Sequence, residues 1–283
     1  KYLNIQDEGG SKSIVNKCFK MICELLPEAN NINRTTLPVE KLAVALQCGG
    51  SDSYSGISAN PALGYASDIL VSFGGSTILS ETPEIYGAEH LLKGRTNEKN
   101  LQNKIDKHIA WWQNYTKING GSLDNNPSPG NKKGGLTTIL EKSLGATAKG
   151  GKSELVDVID YGERIKINGF NFMNSPGFDP VSVTGQVASG ANVVCFTTGR
   201  GSCFGFKPVP SIKIATNSSM YNRMQEDMDI NSGTILEGLE SIEENGIKIY
   251  ESIVSVASGK KTKSEKNGYG DDEFNPWVIG ATL

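Results

Sequence analysis

Three titratable side chains crowd one short stretch of the chain: Glu81, Glu84 and His90. Two carboxyl groups beside an imidazole make a proton-transfer or metal-binding set, because both group types can be tuned to exchange protons near neutral pH. Glu81 follows the apolar run Ser76–Ser80, at the point where a buried strand would release the chain toward a ligand. A carboxyl group desolvated there has a raised pKa and can act as a base near neutral pH. Pro83 marks the first turn of a helix expected to reach about Leu92. Glu84 then sits where negative charge favours the helix N-terminus, and Tyr86 and His90, four residues apart, share a face. The plainer reading of His90 is a surface histidine paired with an acid.

Arg200 lies between Gly199 and Gly201, where its guanidinium is free to fork onto a carboxylate or phosphate. The glycine spacing there does not match a dinucleotide fingerprint, and Lys207–Pro210 follows in place of a helix to hold a pyrophosphate. Cys48, just before Gly49 and Gly50, reads either as a small buried thiol or as a soft metal ligand. Cys48, Cys195 and Cys203 lack the tight spacings of an iron–sulfur cluster. Cys18 and Cys23 lie five apart in the first helix and are expected to be reduced and zinc-free. His108 shares a helical stripe with Leu101, Ile105 and Trp112 and is expected to be packed rather than catalytic.

The elements that must position these groups follow from periodicity. Helices are expected at Ser11–Leu26, Asn60–Phe73, Asn97–Ile118 and Leu136–Ala148, with a short one at Val181–Ser189 and a long amphipathic one within Asp229–Ser258. Strands are expected at Leu42–Gln47, Ser76–Ser80, Gly169–Met173, Val193–Thr198 and Ser211–Ala215. The alternation predicts an α/β fold with a largely parallel sheet flanked by helices, Rossmann-like in topology. Each strand runs into a polar, Gly- or Ser-containing turn, so a ligand crevice is expected at the strand C-terminal ends. Those turns offer Ser51, Asp52, Ser55 and Thr198 for hydroxyl recognition and Arg200 and Lys207 for charge. The turn-rich stretch 120–135 is the best candidate for an internal boundary or a functional loop.

Composition narrows the function classes. The chain has 283 residues and a formal net charge of −3, which argues against a nucleic-acid-binding surface as the main function. No apolar run approaches the ~20 residues of a membrane helix, and the scattered cysteines suit a reducing, cytoplasmic compartment. The start at Lys1 rather than at Met is what is expected of a domain cut from a longer polypeptide or of a processed one.

Several motifs together resemble a known family. They are Leu46–Gly64 (LQCGGSDSYSGISANPALG), Leu79–Leu92 (LSETPEIYGAEHLL), Asn125–Lys132 (NNPSPGNK), Phe196–Ser202 (FTTGRGS), Lys207–Pro208, Glu226–Asn231, Ala257–Glu265 and Glu273–Trp277. This set resembles the altronate dehydratase/galactarate dehydratase family, most nearly its altronate branch. The resemblance implies the C-terminal α/β portion of a longer sugar-acid dehydratase, with an N-terminal small β domain outside this chain. It implies elimination of water from an aldonate to give a 2-keto-3-deoxy acid, with a divalent metal, iron or manganese, whose ligands are left open. By chemistry and position, Glu81, Glu84 and His90 are the expected proton carriers. Ser51, Asp52, Ser55, Thr198, Arg200 and Lys207 are the expected substrate contacts. The expected partners are a small sugar acid and the N-terminal half of the same enzyme, without nucleic acid or membrane; a homo-oligomer is compatible with this. The alternatives are a sulfo-lyase acting on a sulfonated hydroxy acid, which would need a more cationic pocket, and a non-catalytic ligand-binding or dimerisation domain.

Overall fold

The computed structural model describes residues 1–283, the side chain of Asn125 excepted. The chain divides into two compact units, Lys1–Pro38 and Val39–Leu283. The first carries helix α1, Ser11–Asn30, which continues past the expected end through Pro27 and buries none of its residues. Cys18 and Cys23 are exposed and unpaired.

The second unit is built on a seven-stranded sheet. In chain order the strands are β1 Ala43–Cys48, β2 Ser76–Leu79, β3 Leu155–Ile159, β4 Phe170–Met173, β5 Val193–Thr198, β6 Ser211–Ala215 and β7 Ile230–Asn231. They lie in the order β3-β4-β2-β1-β5-β6-β7, and every pairing is parallel. β1, β2, β4, β5 and β6 are buried along their whole length, as expected where helices cover both faces of a parallel sheet. Alternate β1 residues feed different cores: Val44 and Leu46 pack on one side, Ala45 on the other.

The first face is covered by α2 (Ala59–Ser72), α3 (Lys99–Ile118) and, beyond α4 (Ile139–Ala148) and α5 (Asp179–Ala188) in the chain, α6 (Ile242–Ala257). α6 starts at a capping box in which Ser241 and Glu244 satisfy each other's backbone N–H, the signature S-x-x-E. The opposite core takes Val183 of α5 together with Phe204 and Phe206. No helix among the described residues is long and apolar enough to cross a membrane.

The helix expected from Pro83 to Leu92 does not form as one piece. A single turn, Thr82–Ile85, is followed by a separate short helix, Glu89–Lys93. Gly87 between them has φ +85°, a conformation that ends helical continuity. Two strands escaped sequence reading. β3 (LVDVI) carries an acid in mid-run, and β7 is only two residues long.

Candidate active site

β1 and β5 are neighbours although β2, β3 and β4 separate them in sequence, so the strand order reverses between them. Such switch points open a crevice at the strand C-terminal ends. A cavity of about 390 Å³ lies there, lined among others by Cys48, Glu84, Lys142, Asp179 and Arg200. The loops after β1, β2 and β5 therefore meet at one sheet edge.

The floor is made of buried charge. Cys48, the last residue of β1, donates its thiol to Glu84 Oε2 at 3.6 Å and accepts from Lys149 Nζ at 2.8 Å. Glu84 Oε1 accepts from Lys142 Nζ at 2.5 Å and from Asn126 Nδ2 at 3.2 Å. Lys142 also donates to Asn126 Oδ1 at 2.7 Å. Burial alone would raise the Glu84 carboxyl, but Lys142, Lys149 and the two hydrogen bonds outweigh it and hold Glu84 below the ordinary carboxylate range. Burial opposes the charge on Lys142 and Lys149, but Glu84 first for Lys142 and Cys48 first for Lys149, with Glu81 acting on both, outweigh it and raise both ammonium groups. Burial pushes the Cys48 thiol up to about 11, against the pull of Lys149.

Glu81 is unlike its neighbours. It is 1% exposed, and neither carboxyl oxygen has a hydrogen-bond partner among the described residues. Its nearest cation, Lys149 Nζ, is 4.0 Å away. Its backbone is left-handed, at φ 71°, which costs a non-glycine residue about 1–2 kcal/mol; the Ser175 hydroxyl accepts its N–H at 2.9 Å. Burial first, then the like charge of Glu84, pushes its pKa well above the usual range. A buried, unpartnered carboxyl group is costly, and such a group calls for a ligand. Ligand atoms of Cys48, Glu81 and Glu84 all lie within 4.8 Å of one another. One thiol and two carboxyl groups suit a divalent transition metal, so the residues present fit the iron or manganese that the resemblance implies.

Asp179 stands at the start of α5 and lines the cavity. Burial, and then the charge of Glu84, pushes its carboxyl up to about 7, while a hydrogen bond from Gln47 and the two lysines oppose the shift. Gln47 Nε2 donates to Asp179 Oδ1 at 3.2 Å. Gly49 makes this placement possible: a Cβ there would lie 2.2 Å from Asp179 Oδ2 and 2.6 Å from Phe196.

The rim is built differently. Arg200 is exposed and donates through Nη1 to the Gly130 carbonyl at 2.6 Å. The stretch 120–135 turns out to be a wall of the cavity, supplying Asn126, Ser128, Gly130 and Asn131. Its short helix Pro129–Lys133 is capped reciprocally by Ser128 and Asn131.

The expected site residues divide. Glu84 and Arg200 line the cavity, and Glu81 lies directly behind Cys48 and Glu84. His90 does not reach it: the break at Gly87 leaves His90 exposed on its own short helix. Lys207 is exposed and paired with Asp271, away from the cavity. Asp52 is buried and spends its carboxylate on Thr216, Asn217 and Ser55. Ser51, Asp52 and Ser55 border a separate void of about 10 Å³, and Thr198 is buried with its hydroxyl accepting the Gly201 N–H. These four brace loops and do not line the main cavity. His108 packs as expected, 3.7 Å from Asp160.

Sequence reasoning missed Lys142, Lys149, Asn126 and Asp179. Lys142 and Lys149 are seven apart on and just after α4, hence on one helix face, the face that also carries the buried Ala146. Leu140 and Leu144 of the same helix are exposed instead, so the helix pattern alone carried no signal for the buried lysines.

The family profile described as "D-galactarate/Altronate dehydratase, C-terminal" matches residues 39–282. The chain is 43% identical over 279 residues to galactarate dehydratase (L-threo-forming) of Escherichia coli, covering 97% of this chain and 53% of that protein. It is 39% identical over 265 residues to altronate dehydratase of Bacillus subtilis, covering 93% and 52%. It is 32% identical over 271 residues to the (2R)-sulfolactate sulfo-lyase subunit beta of Chromohalobacter salexigens, covering 94% and 69%. These identities do not separate the galactarate from the altronate branch. The chain spans about half the length of these two dehydratases. The matched region contains nearly the whole cavity lining, and the chain belongs to the D-galactarate/altronate dehydratase family, of which it carries the C-terminal domain.

Proposed function

We propose that this chain forms the substrate-binding and proton-handling part of a cytoplasmic sugar-acid hydro-lyase, removing water from an aldonate or aldarate to leave a 2-keto-3-deoxy acid. The observation that carries the reading is the floor: the orphaned Glu81 carboxyl beside Cys48 and Glu84, two residues that line a cavity together with Arg200. Glu81 is not itself part of the cavity lining, so its role is that of a metal ligand held behind the reacting atoms.

Dehydration beside a carboxylate needs a base for a weakly acidic C–H, positive charge for the carboxylate as it takes up electron density, and an acid for the departing hydroxyl. Arg200 binds the carboxylate from the rim. Asp179, poised at about 7, is present in both protonation states near neutrality. It accepts the C–H proton and returns it to the departing hydroxyl. Lys142 keeps Glu84 ionised, and Asn126 fixes its orientation. Cys48, Glu81 and Glu84 would hold a divalent ion, which when bound supplies Lewis-acid charge.

A sulfo-lyase reading asks for more free positive charge. Lys142, a cation in the cavity lining, is already committed to Glu84, which favours loss of water. The test is turnover of D-altronate, galactarate and sulfolactate by the full-length enzyme with added iron or manganese. Water loss from a sugar acid is expected. Sulfite release alone would replace this reading with the sulfo-lyase one. Binding without turnover would reduce the chain to a recognition module.

A further inference from the structure

Lys213 is 0% exposed and occupies the middle of β6, between Ile212 and Ile214. An ammonium in such a place is costly unless it is held by partners, and no step above uses it. Its Nζ donates to the Ser202 carbonyl at 3.1 Å, lies 3.9 Å from Asp227 Oδ1 and faces the Tyr269 ring at 5.2 Å. Asp227 Oδ1 is buried and makes no hydrogen bond among the described residues; its carboxylate acts on both Lys213 and the Tyr269 hydroxyl. Asp229 secures the strand beneath, accepting the backbone N–H of Lys213 at 2.9 Å and that of Lys263 at 3.0 Å.

Ser202 lies two residues after Arg200 in the loop that joins β5 to β6. Gly199 and Arg200 donate their N–H groups to the Gly50 carbonyl at 3.1 and 3.0 Å. Gly201 donates to Thr198 Oγ1 at 3.1 Å. Asn217 Nδ2 donates to the Gly199 carbonyl at 3.1 Å, and the bond from Lys213 to Ser202 is the one among these that comes from a buried ammonium. We propose that Lys213 is a positioning residue for anion recognition: clamped by Asp227 and Tyr269, its ammonium pins the Ser202 carbonyl and sets the loop so that Arg200 faces the cavity. This rests on the reading of Arg200 as the carboxylate clamp.

The experiment uses the full-length enzyme with galactarate or D-altronate, in Lys213→Met and the milder Asp227→Asn, each alone and combined with Arg200→Ala. Losing a hydrogen bond from a charged group is expected to raise KM about tenfold in Lys213→Met and less in Asp227→Asn, with kcat within about threefold of wild type. Hydrogen exchange at residues 199–203 is expected to quicken while β1 and β5 stay protected. On the Arg200→Ala background, Lys213→Met is expected to add less than about twofold to KM, because it acts through Arg200. A KM effect that multiplies with Arg200→Ala, or unchanged loop exchange in folded variants, would overturn the proposal. If Lys213→Met fails to fold, Asp227→Asn decides by the same readouts. An Arg200→Ala enzyme with unchanged KM would instead sink the clamp reading, leaving loop exchange to judge Lys213.

Discussion

The floor of the cavity and its rim hold charge in opposite ways. At the floor, Glu84 and Lys142 are 5% and 8% exposed and only 2.5 Å apart, with Lys149 and Glu81 more deeply buried still. At the rim, Arg200 is exposed and anchored by a single carbonyl. Water and salt screen the rim but not the floor. A buried charge cannot lose its partner cheaply, whereas an exposed one can. On the proposed reading, the floor is therefore where proton affinities are set and a metal would be held, and the rim is where an anion would first bind.

Stability should expose the difference most strongly. Lys142→Met strands the Glu84 carboxylate in the interior and is expected to cost about 3–5 kcal/mol, the usual penalty for breaking a buried pair. Arg200→Met should stay within about 0.5 kcal/mol of wild type. Equal losses in denaturant unfolding would erase the contrast.

Next comes pH. Asp179 titrates at about 7 in the folded chain against an ordinary value of 3.8, so the folded state binds the extra proton between those values. Its contribution to stability is present below that window and is lost as pH rises through about 7. Asp179→Asn should flatten that part of the stability profile and remove a limb near pH 7 from kcat/KM. An unchanged profile in the variant would mean that another group titrates there. The smallest effects belong to side chains that the fold keeps away from the cavity: His90→Ala and Lys207→Ala should leave kcat and KM within about twofold, since surface changes outside a site are usually near neutral.

The frame of this site was legible in sequence because buried parallel strands are short apolar runs ending in Gly- or Ser-rich turns. That pattern puts Cys48, Glu81 and Arg200 at strand ends, where the structure also has them. His90 reads as part of a continuous helix because a lone glycine is tolerated within a helical pattern, whereas the backbone at Gly87 turns to φ +85° and ends the helix. Lys142 and Lys149 were overlooked because charged residues on a helix ordinarily mark its solvated side. Their burial depends on Glu84, Cys48 and Glu81 arriving from other strands, a long-range fact that no local window contains. Asp52, by contrast, looked like a substrate contact because it follows a strand, yet Thr216, Asn217 and Ser55 consume its carboxylate.

The contrast between floor and rim is tested most directly by measuring kcat, KM and metal content side by side for Glu81→Gln and Arg200→Lys in the full-length enzyme, on the same sugar acid with iron or manganese supplied. Glu81→Gln should keep the fold, lose metal and lower kcat by at least about a hundredfold, the low end of what a group in the reacting machinery contributes. Arg200→Lys should keep metal and raise KM by about tenfold, because a lysine cannot reproduce bidentate carboxylate binding. A Glu81→Gln enzyme with near-normal kcat and full metal content would contradict the account.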